Sequence, residues 1–150
     1  YSHHITRLMI LSNLATLLDA RPRDLTDWFW VAYTDAYDWV VEPNVLGMGT
    51  YALAGLMTTK PYVSGAAYIN RMSDYCTICS FNPKIDCPVT SLYWAFLARH
   101  EAVLKTNPRL NMPMASLKKR DALRRKKDQE VYARVKEILG KGDKITPQNL

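Results

Sequence analysis

Apolar residues recur at helical spacing from the start of the chain. Ile5, Leu8, Met9, Leu11, Leu14, Leu17 and Leu18 fall on one side of a helix that Arg21-Pro22 is expected to close. A second helix is predicted to start at Asp24 or Thr26, whose side chains can cap it, and to run through Trp28 toward Trp39, with Pro43 interrupting beyond it. The passage from Gly47 to Gly55 predicts a short helix or irregular backbone before a turn at Lys60-Pro61. Further helical segments are expected near Gly65 to Ser73 and Ser91 to Leu104, and a basic helix from about Ser116 to Leu139. No alternating strand pattern competes with these, so the predicted class is all-α. The sequence has no repeat, no phosphate-cradling glycine loop and no dinucleotide fingerprint.

With 150 residues, 48% of them hydrophobic, the chain suffices for one compact domain with a real core, and no linker divides it. No run of eighteen apolar residues and no charged-apolar-small leader is present, so neither a membrane span nor secretion is indicated. The opening Tyr1-Ser2-His3-His4, without an initiator methionine, reads as a piece of something longer. The net charge of +6 is unevenly placed. Residues 1–100 hold seven Lys and Arg against eight Asp and Glu, whereas residues 101–150 hold thirteen against six. Lys118-Lys119-Arg120 with Arg124-Arg125-Lys126-Lys127 would surround most of a helix with positive charge. Such a run meets phosphates or is simply a solvated terminal helix.

The chain's three cysteines lie in one stretch, Cys76-Thr-Ile-Cys79 and then Cys87-Pro88. A pair separated by two residues aims both thiolates at one ion from a single turn, and a third cysteine followed by proline resembles the last ligand of many cluster-binding runs. This is iron-sulfur spacing with one ligand lacking, and its sulfurs are expected to converge. Three buried, inert thiols are the alternative. The odd count argues against an extracellular disulfide framework and for a reducing, cytoplasmic setting. Elsewhere, His4 and Arg7 lie three residues apart on nearly one helix face, and Asp35, twenty-eight residues after Arg7, can return to pair with it. A buried Arg-Asp pair is costly unless it serves a polar ligand or a dense network. Taken singly, His3 and His4 read as surface or capping residues, and Tyr62 and Tyr68 as core tyrosines with satisfied hydroxyls.

Together these stretches resemble the iron-sulfur bacterial cryptochromes and photolyases. The resemblance rests on His3-His4-x-x-Arg7-Leu8-Met9, Tyr33-x-Asp35-Ala36-x-x-Trp39-Val40, Pro43-Asn44, Lys60-Pro61-Tyr62-Val63 and Tyr68-Ile69-x-Arg71-Met72-Ser73-Asp74-Tyr75-Cys76-x-x-Cys79. Cys87-Pro88, Leu92-Tyr93-Trp94-x-Phe96-Leu97 and Asn107-Pro108-Arg109 extend it. It implies the C-terminal part of an all-helical FAD-binding domain: an FAD and iron-sulfur part over residues 1–115, then a basic helix and tail over residues 116–150. An α/β domain carrying an antenna pigment would precede it. The implied activity is blue-light-driven, FAD-dependent repair of pyrimidine (6-4) photoproducts in DNA by a monomeric enzyme. His4 matches the proton donor of the paired histidines over the lesion, with His3 orienting it. Arg7 and Asp35 match the ion pair beside the flavin, and Trp28 an inner aromatic of the photoreduction route. Cys76, Cys79 and Cys87 match three ligands of a [4Fe-4S] cluster, the fourth lying upstream of this chain. Tyr62 and Tyr68 match aromatics between cluster, flavin and DNA, while Lys118, Lys119, Arg124 and Arg125 are expected to meet DNA phosphates.

Two departures bear on activity. The position facing flavin N5 in relatives, usually Asn or Glu, is Val41, with Glu42 and Asn44 as the nearest polar substitutes; the innermost tryptophan of many relatives is Val45. The aromatic following Trp28, commonly Tyr, is Phe29, and Trp30 is its expected replacement. Two other functions therefore stay open: a flavin-binding light receptor without repair activity, and a nucleic-acid-binding iron-sulfur domain like that of the primase large subunit. The latter explains the cysteines and the charge but not the His4, Arg7 and Asp35 set.

Overall fold

Helix α1 (His4–Arg7) opens where the His3 carbonyl accepts from the backbone N–H of Arg7 at 3.1 Å. The computed structural model describes residues 3–150, and among them every regular element is helical, none long and apolar enough to cross a membrane. The chain forms two compact units, Tyr1–Val63 and Ser64–Leu150.

In the first unit, α1 continues through a π-helical stretch, Leu8–Ser12, into α2 (Asn13–Leu17). Pro22, expected to close this helix, instead opens α3 (Pro22–Ala32) at its first turn, where its missing N–H has no intrahelical acceptor to lose. Arg21 and not Asp24 or Thr26 is therefore the N-cap, and the Thr26 hydroxyl bonds back to the Pro22 carbonyl at 2.9 Å.

The second helix also ends earlier than expected. It stops at Ala32, with Tyr33 extended, and helix resumes only at α4 (Asp38–Val41). That break lets Asp35 turn toward Arg7 and sets Ala36 in the core with Leu8, Leu25, Phe29, Val41 and Val45.

Pro43 does not interrupt the backbone either. The chain widens into a π-helix, Glu42–Gly49, and the Val40 carbonyl is taken by Asn44 Nδ2 at 2.8 Å. Gly49 is required by packing: a Cβ there would overlap the buried Ser12 hydroxyl, which comes from the other π-helical stretch.

The second unit holds α5 (Ala66–Met72), α6 (Pro88–Arg99), α7 (Glu101–Leu104), α8 (Asn111–Lys119) and α9 (Ala122–Gly140). Its core is built mainly by α6 on α9. Leu92, Ala95 and Leu97 are buried on α6, Val135 and Ile138 on α9, and Met114 and Leu117 on α8. The basic stretch is thus two helices instead of one. Arg120 is extended at the break, and Asp121 caps α9 through the Arg124 N–H at 2.7 Å. Arg120 makes a two-pronged bond to Asp128, at 2.5 and 2.8 Å, and the Asp128 side chain is only 3% exposed. At its far end α9 terminates in a Schellman turn, with Gly142 left-handed at φ 78° and Asp143 N–H on the Ile138 carbonyl.

Gly49→Ala should lower unfolding free energy by about 1–3 kcal/mol, as overpacking does. Gly55→Ala, where an added Cβ meets nothing within 4 Å, should stay within about 0.5 kcal/mol. Urea denaturation of the two variants tests this, and equal effects would refute the packing account.

Candidate functional site

Arg7, on the buried side of α1, donates from Nη1 to Asp35 Oδ1 at 2.6 Å, so the expected pair forms. Its burial is one-sided. The Arg7 side chain is 10% exposed whereas that of Asp35 is 55% exposed, so the carboxylate is not the buried member that the sequence pattern suggests. The guanidinium also lies 4.0 Å over the ring of Tyr33, which fixes it from a second direction. The hydrogen bond from Arg7 holds the Asp35 carboxyl below the usual carboxylate range, with the Arg7 charge adding to the same effect.

His4 sits one turn from Arg7. Partial burial and then the Arg7 charge push its pKa below the ordinary imidazole value, while Asp35 opposes them. Its Nε2 atom is buried and finds no hydrogen-bond partner. Buried polar atoms are nearly always paired, so an orphan beside an ion pair is a position where a ligand atom fits. His3 is exposed and contributes its carbonyl, which accepts from Arg7 N–H and from the Thr6 hydroxyl at 2.8 Å. A guanidinium, a half-exposed carboxylate and an unpartnered imidazole nitrogen together offer donors and acceptors to a planar heteroaromatic group. On that chemistry the Arg7 and Asp35 pair fits a flavin ring edge, and the His4 nitrogen is left to face a second ligand.

The other expected flavin contacts are engaged elsewhere. Glu42 Oε1 accepts from Arg23 Nη1 at 2.7 Å, and Asn44 is spent on the Val40 carbonyl. Val41 is 1% exposed and belongs to the core. Trp28 is half exposed and makes edge contacts with Phe29 at 5.3 Å and with Tyr33 at 5.8 Å. Trp30 is exposed and has no ring contact among the described residues. Tyr33 is the functional candidate that residue-by-residue reading passes over. The signal for it is its place two residues before Asp35, the reach of an extended dipeptide.

The cysteines occupy the loop between α5 and α6. Cys76 lies in a 3-10 turn, Tyr75–Thr77, Cys79 is exposed just after it, and Cys87 is the N-cap of α6. Burial raises the Cys76 and Cys87 thiol pKa values; charge on Cys79 adds to both, and Cys76 adds to that of Cys87. Cys76 therefore feels Cys79, and Cys87 feels both. Among the described residues, however, no three His, Cys, Asp or Glu side chains are grouped closely enough to hold a metal, so the expected convergence of sulfurs is not seen. A protonated thiol gains nothing by approaching two others, and convergence requires the cation that deprotonates them. As placed, the three do not make a closed cluster site.

The expected phosphate contacts divide into two kinds. Lys118, Lys119 and Arg124 are exposed, Arg124 lying 3.4 Å from Asp121. Arg125 instead donates to the Leu117 carbonyl at 2.6 Å and the Arg120 carbonyl at 3.2 Å, capping the end of α8. Tyr62 and Tyr68 are half-buried, the first at the end of the first unit and the second on α5.

No protein-family model matches the chain. It is 48% identical over 121 residues to a (6-4) photolyase of Agrobacterium fabrum (strain C58 / ATCC 33970), a match covering 77% of this chain and 24% of that protein. It is also 41% identical over 66 residues to uncharacterized protein R855 of Acanthamoeba polyphaga mimivirus, covering 44% of this chain and 54% of that one. The chain thus spans about a quarter of the length of the photolyase and about half that of the viral protein. The chain is photolyase-like. Its all-helical architecture is consistent with the C-terminal domain of that family.

The opposed effects of Arg7 and Asp35 on His4 can be read by NMR titration. The His4 midpoint should fall further in Asp35→Asn and rise in Arg7→Gln. A depressed folded-state pKa also fixes the stability trend. The unfolded chain binds the extra proton, so His4 and Asp35 each make folding less favourable as pH drops below their ordinary ranges, about 6.5 and 3.9. Identical His4 midpoints in the three proteins would refute this electrostatic coupling.

Proposed function

We propose that the chain is the FAD-binding C-terminal part of a (6-4) photolyase that repairs pyrimidine (6-4) photoproducts in DNA under blue light. The observation carrying this reading is the 48% identity to a (6-4) photolyase. The Arg7–Asp35 pair with the orphaned His4 Nε2 supports it at the level of chemistry. Reduced FAD, when bound and excited by blue light, supplies the electron that opens the lesion. Arg7 and Asp35 would hold the flavin, with Trp28 at its approach and Glu42 or Asn44 reaching it only by giving up their present partners.

His4 is the proton-handling residue of this proposal. In the free chain its depressed pKa keeps the imidazole neutral near pH 7, so that one ring nitrogen can accept a hydrogen bond. Negative charge developing on a lesion atom beside Nε2 raises the pKa, so the imidazole takes up a proton and delivers it where the charge grows. His3 positions its neighbour through the carbonyl that anchors the Arg7 N–H. Arg7 offsets negative charge nearby, and Asp35 keeps it aimed.

The iron-sulfur part of the proposal rests on spacing and resemblance. Cys76, Cys79 and Cys87 would supply three ligands and a cysteine outside this chain the fourth, joining distant parts of a longer protein. Lys118, Lys119 and Arg124 would add salt-sensitive, sequence-independent phosphate contacts.

In the full-length protein, His4→Ala should reduce (6-4) repair by ~10² to 10⁴ while leaving FAD content and DNA affinity unchanged. The parental pH–rate profile should gain activity as pH falls below the ordinary imidazole range, a limb that the variant lacks. Repair at the parental rate would remove the photolyase assignment of this site and favour the light-receptor reading. Anaerobically purified full-length protein should contain about four iron atoms per chain. Folded, iron-free protein would remove the cluster from the proposal.

A further inference from the structure

A cleft of about 740 Å³ runs between the loop that follows the CxxC pair and the first turns of α9. Of the three cysteines only Cys87 lines it, so it is not the space between the thiols. Lys84 enters it from the loop, and Arg124 and Lys127 enter it from α9. Neither lysine ammonium has an ion-pair or hydrogen-bond partner among the described residues, and neither has the Ser91 hydroxyl, which lines the same cleft in the second turn of α6. The two carboxylates in the wall are already answered. Asp128 is held by Arg120, and Asp86 accepts from the Asn82 backbone N–H at 2.5 Å. Arg124 lies 3.4 Å from Asp121, so the cationic charge left without a partner in the cleft is that of Lys84 and Lys127. Apart from Thr90, whose hydroxyl accepts from the Ala66 N–H, its remaining wall is largely apolar, with Phe81, Pro83, Ile85, Val131 and Pro147.

We infer that this cleft binds one nucleotide unit, with its phosphate held by Lys84, Lys127 and Arg124 and its base against the Phe81 and Pro83 side. A volume of this size lies within the range of small-molecule sites. Cations that line one cleft from two separate elements favour a bound anion there. A planar ring on Phe81 covers apolar surface that the loop leaves half exposed, and base stacking of this kind is sequence-tolerant. The phosphate would also bridge the cysteine loop to α9. The nucleotide can come from a DNA strand or from a free mononucleotide, since both present the same phosphate and ring. This inference uses neither the flavin pair nor the histidines and shares only Arg124 with the repair proposal.

The test uses the full-length protein with Lys84→Gln and Lys127→Gln combined, against exposed Lys105→Gln with Lys144→Gln as a variant of equal charge. Iron content, FAD content and thermal unfolding are recorded for all three proteins, so that loss of cofactor is distinguished from loss of the anion site. Binding of a short single-stranded oligonucleotide, of AMP and of inorganic phosphate is titrated at several salt concentrations. For at least one nucleotide probe, the Lys84/Lys127 variant should bind at least about tenfold more weakly, and for the oligonucleotide the salt slope should fall by ~0.7 for each phosphate that is no longer neutralised. The Lys105/Lys144 variant should retain most of the affinity for that probe. Loss for AMP as well as the oligonucleotide identifies a mononucleotide site, and loss for the oligonucleotide alone identifies binding to a strand. Bound nucleotide should also shield Lys84 and Lys127 together from amine acylation. Equal losses in the two variants, or no binding of AMP or oligonucleotide that depends on Lys84 and Lys127, would overturn the inference.

Discussion

A guanidinium placed on the buried side of a four-residue helix has to be answered by charge, and the first unit is arranged around that requirement. Arg7 cannot shed its proton, so its neighbours must compensate it. Asp35 does so directly at 2.6 Å, and the face of Tyr33 does so at 4.0 Å. Both partners become available because α3 stops at Ala32. Had the helix run on toward Trp39, Ala36 would not enter the core and Asp35 would continue the helical spiral. The ion pair, the end of α3 and the seating of Ala36 are one structural event. The same pair then sets the electrostatics of His4, whose pKa one member lowers and the other raises.

The second unit meets a similar demand with the charges reversed. Here the buried ion is the carboxylate of Asp128, and Arg120 answers it from the break between α8 and α9 while lying over Trp94 at 5.2 Å. Arg125 caps the preceding helix end from the other side. Two of the seven cations in the basic run therefore serve the fold. Exposed lysines and Arg124 are left to meet solvent or phosphates. A run that reads as uniform positive charge is divided by tertiary structure into internal and external members. Counting charges could not have made that division, because it depends on which side of α9 faces α6.

The cysteine loop shows a different relation between sequence and fold. Spacing alone brings three thiols into one loop, near enough for Cys79 to disturb the ionisation of Cys76 and for both to disturb that of Cys87. It does not bring their sulfurs into one coordination sphere. Ligand spacing is a local property of the chain, whereas closure of a cluster site depends on deprotonation, on the ion and on a fourth ligand that need not be local.

The helical class, the positions of α5 and α6, and the pairing of Arg7 with Asp35 were legible in the order of residues. Apolar periodicity is a local signal, and so are proline and the spacing of charged groups along a helix face. Helix ends were less legible. Pro22 opened a helix that it was expected to close, Pro43 was absorbed by a wider turn, and Arg120 divided a helix expected to be continuous. Pro22 acted locally, having no N–H to lose at a first turn, whereas Asn44 took up the carbonyl that Pro43 freed and Asp128 held Arg120 at the break. The burial of Arg7 rather than Asp35, the engagement of Glu42 and Asn44, and the unpartnered His4 nitrogen belong to the same category. The sequence by itself determined which chemical groups are present and which helix faces can carry them. Only the tertiary structure decided which groups are spent on one another and which remain to meet a ligand, because burial and pairing are properties of the packed chain.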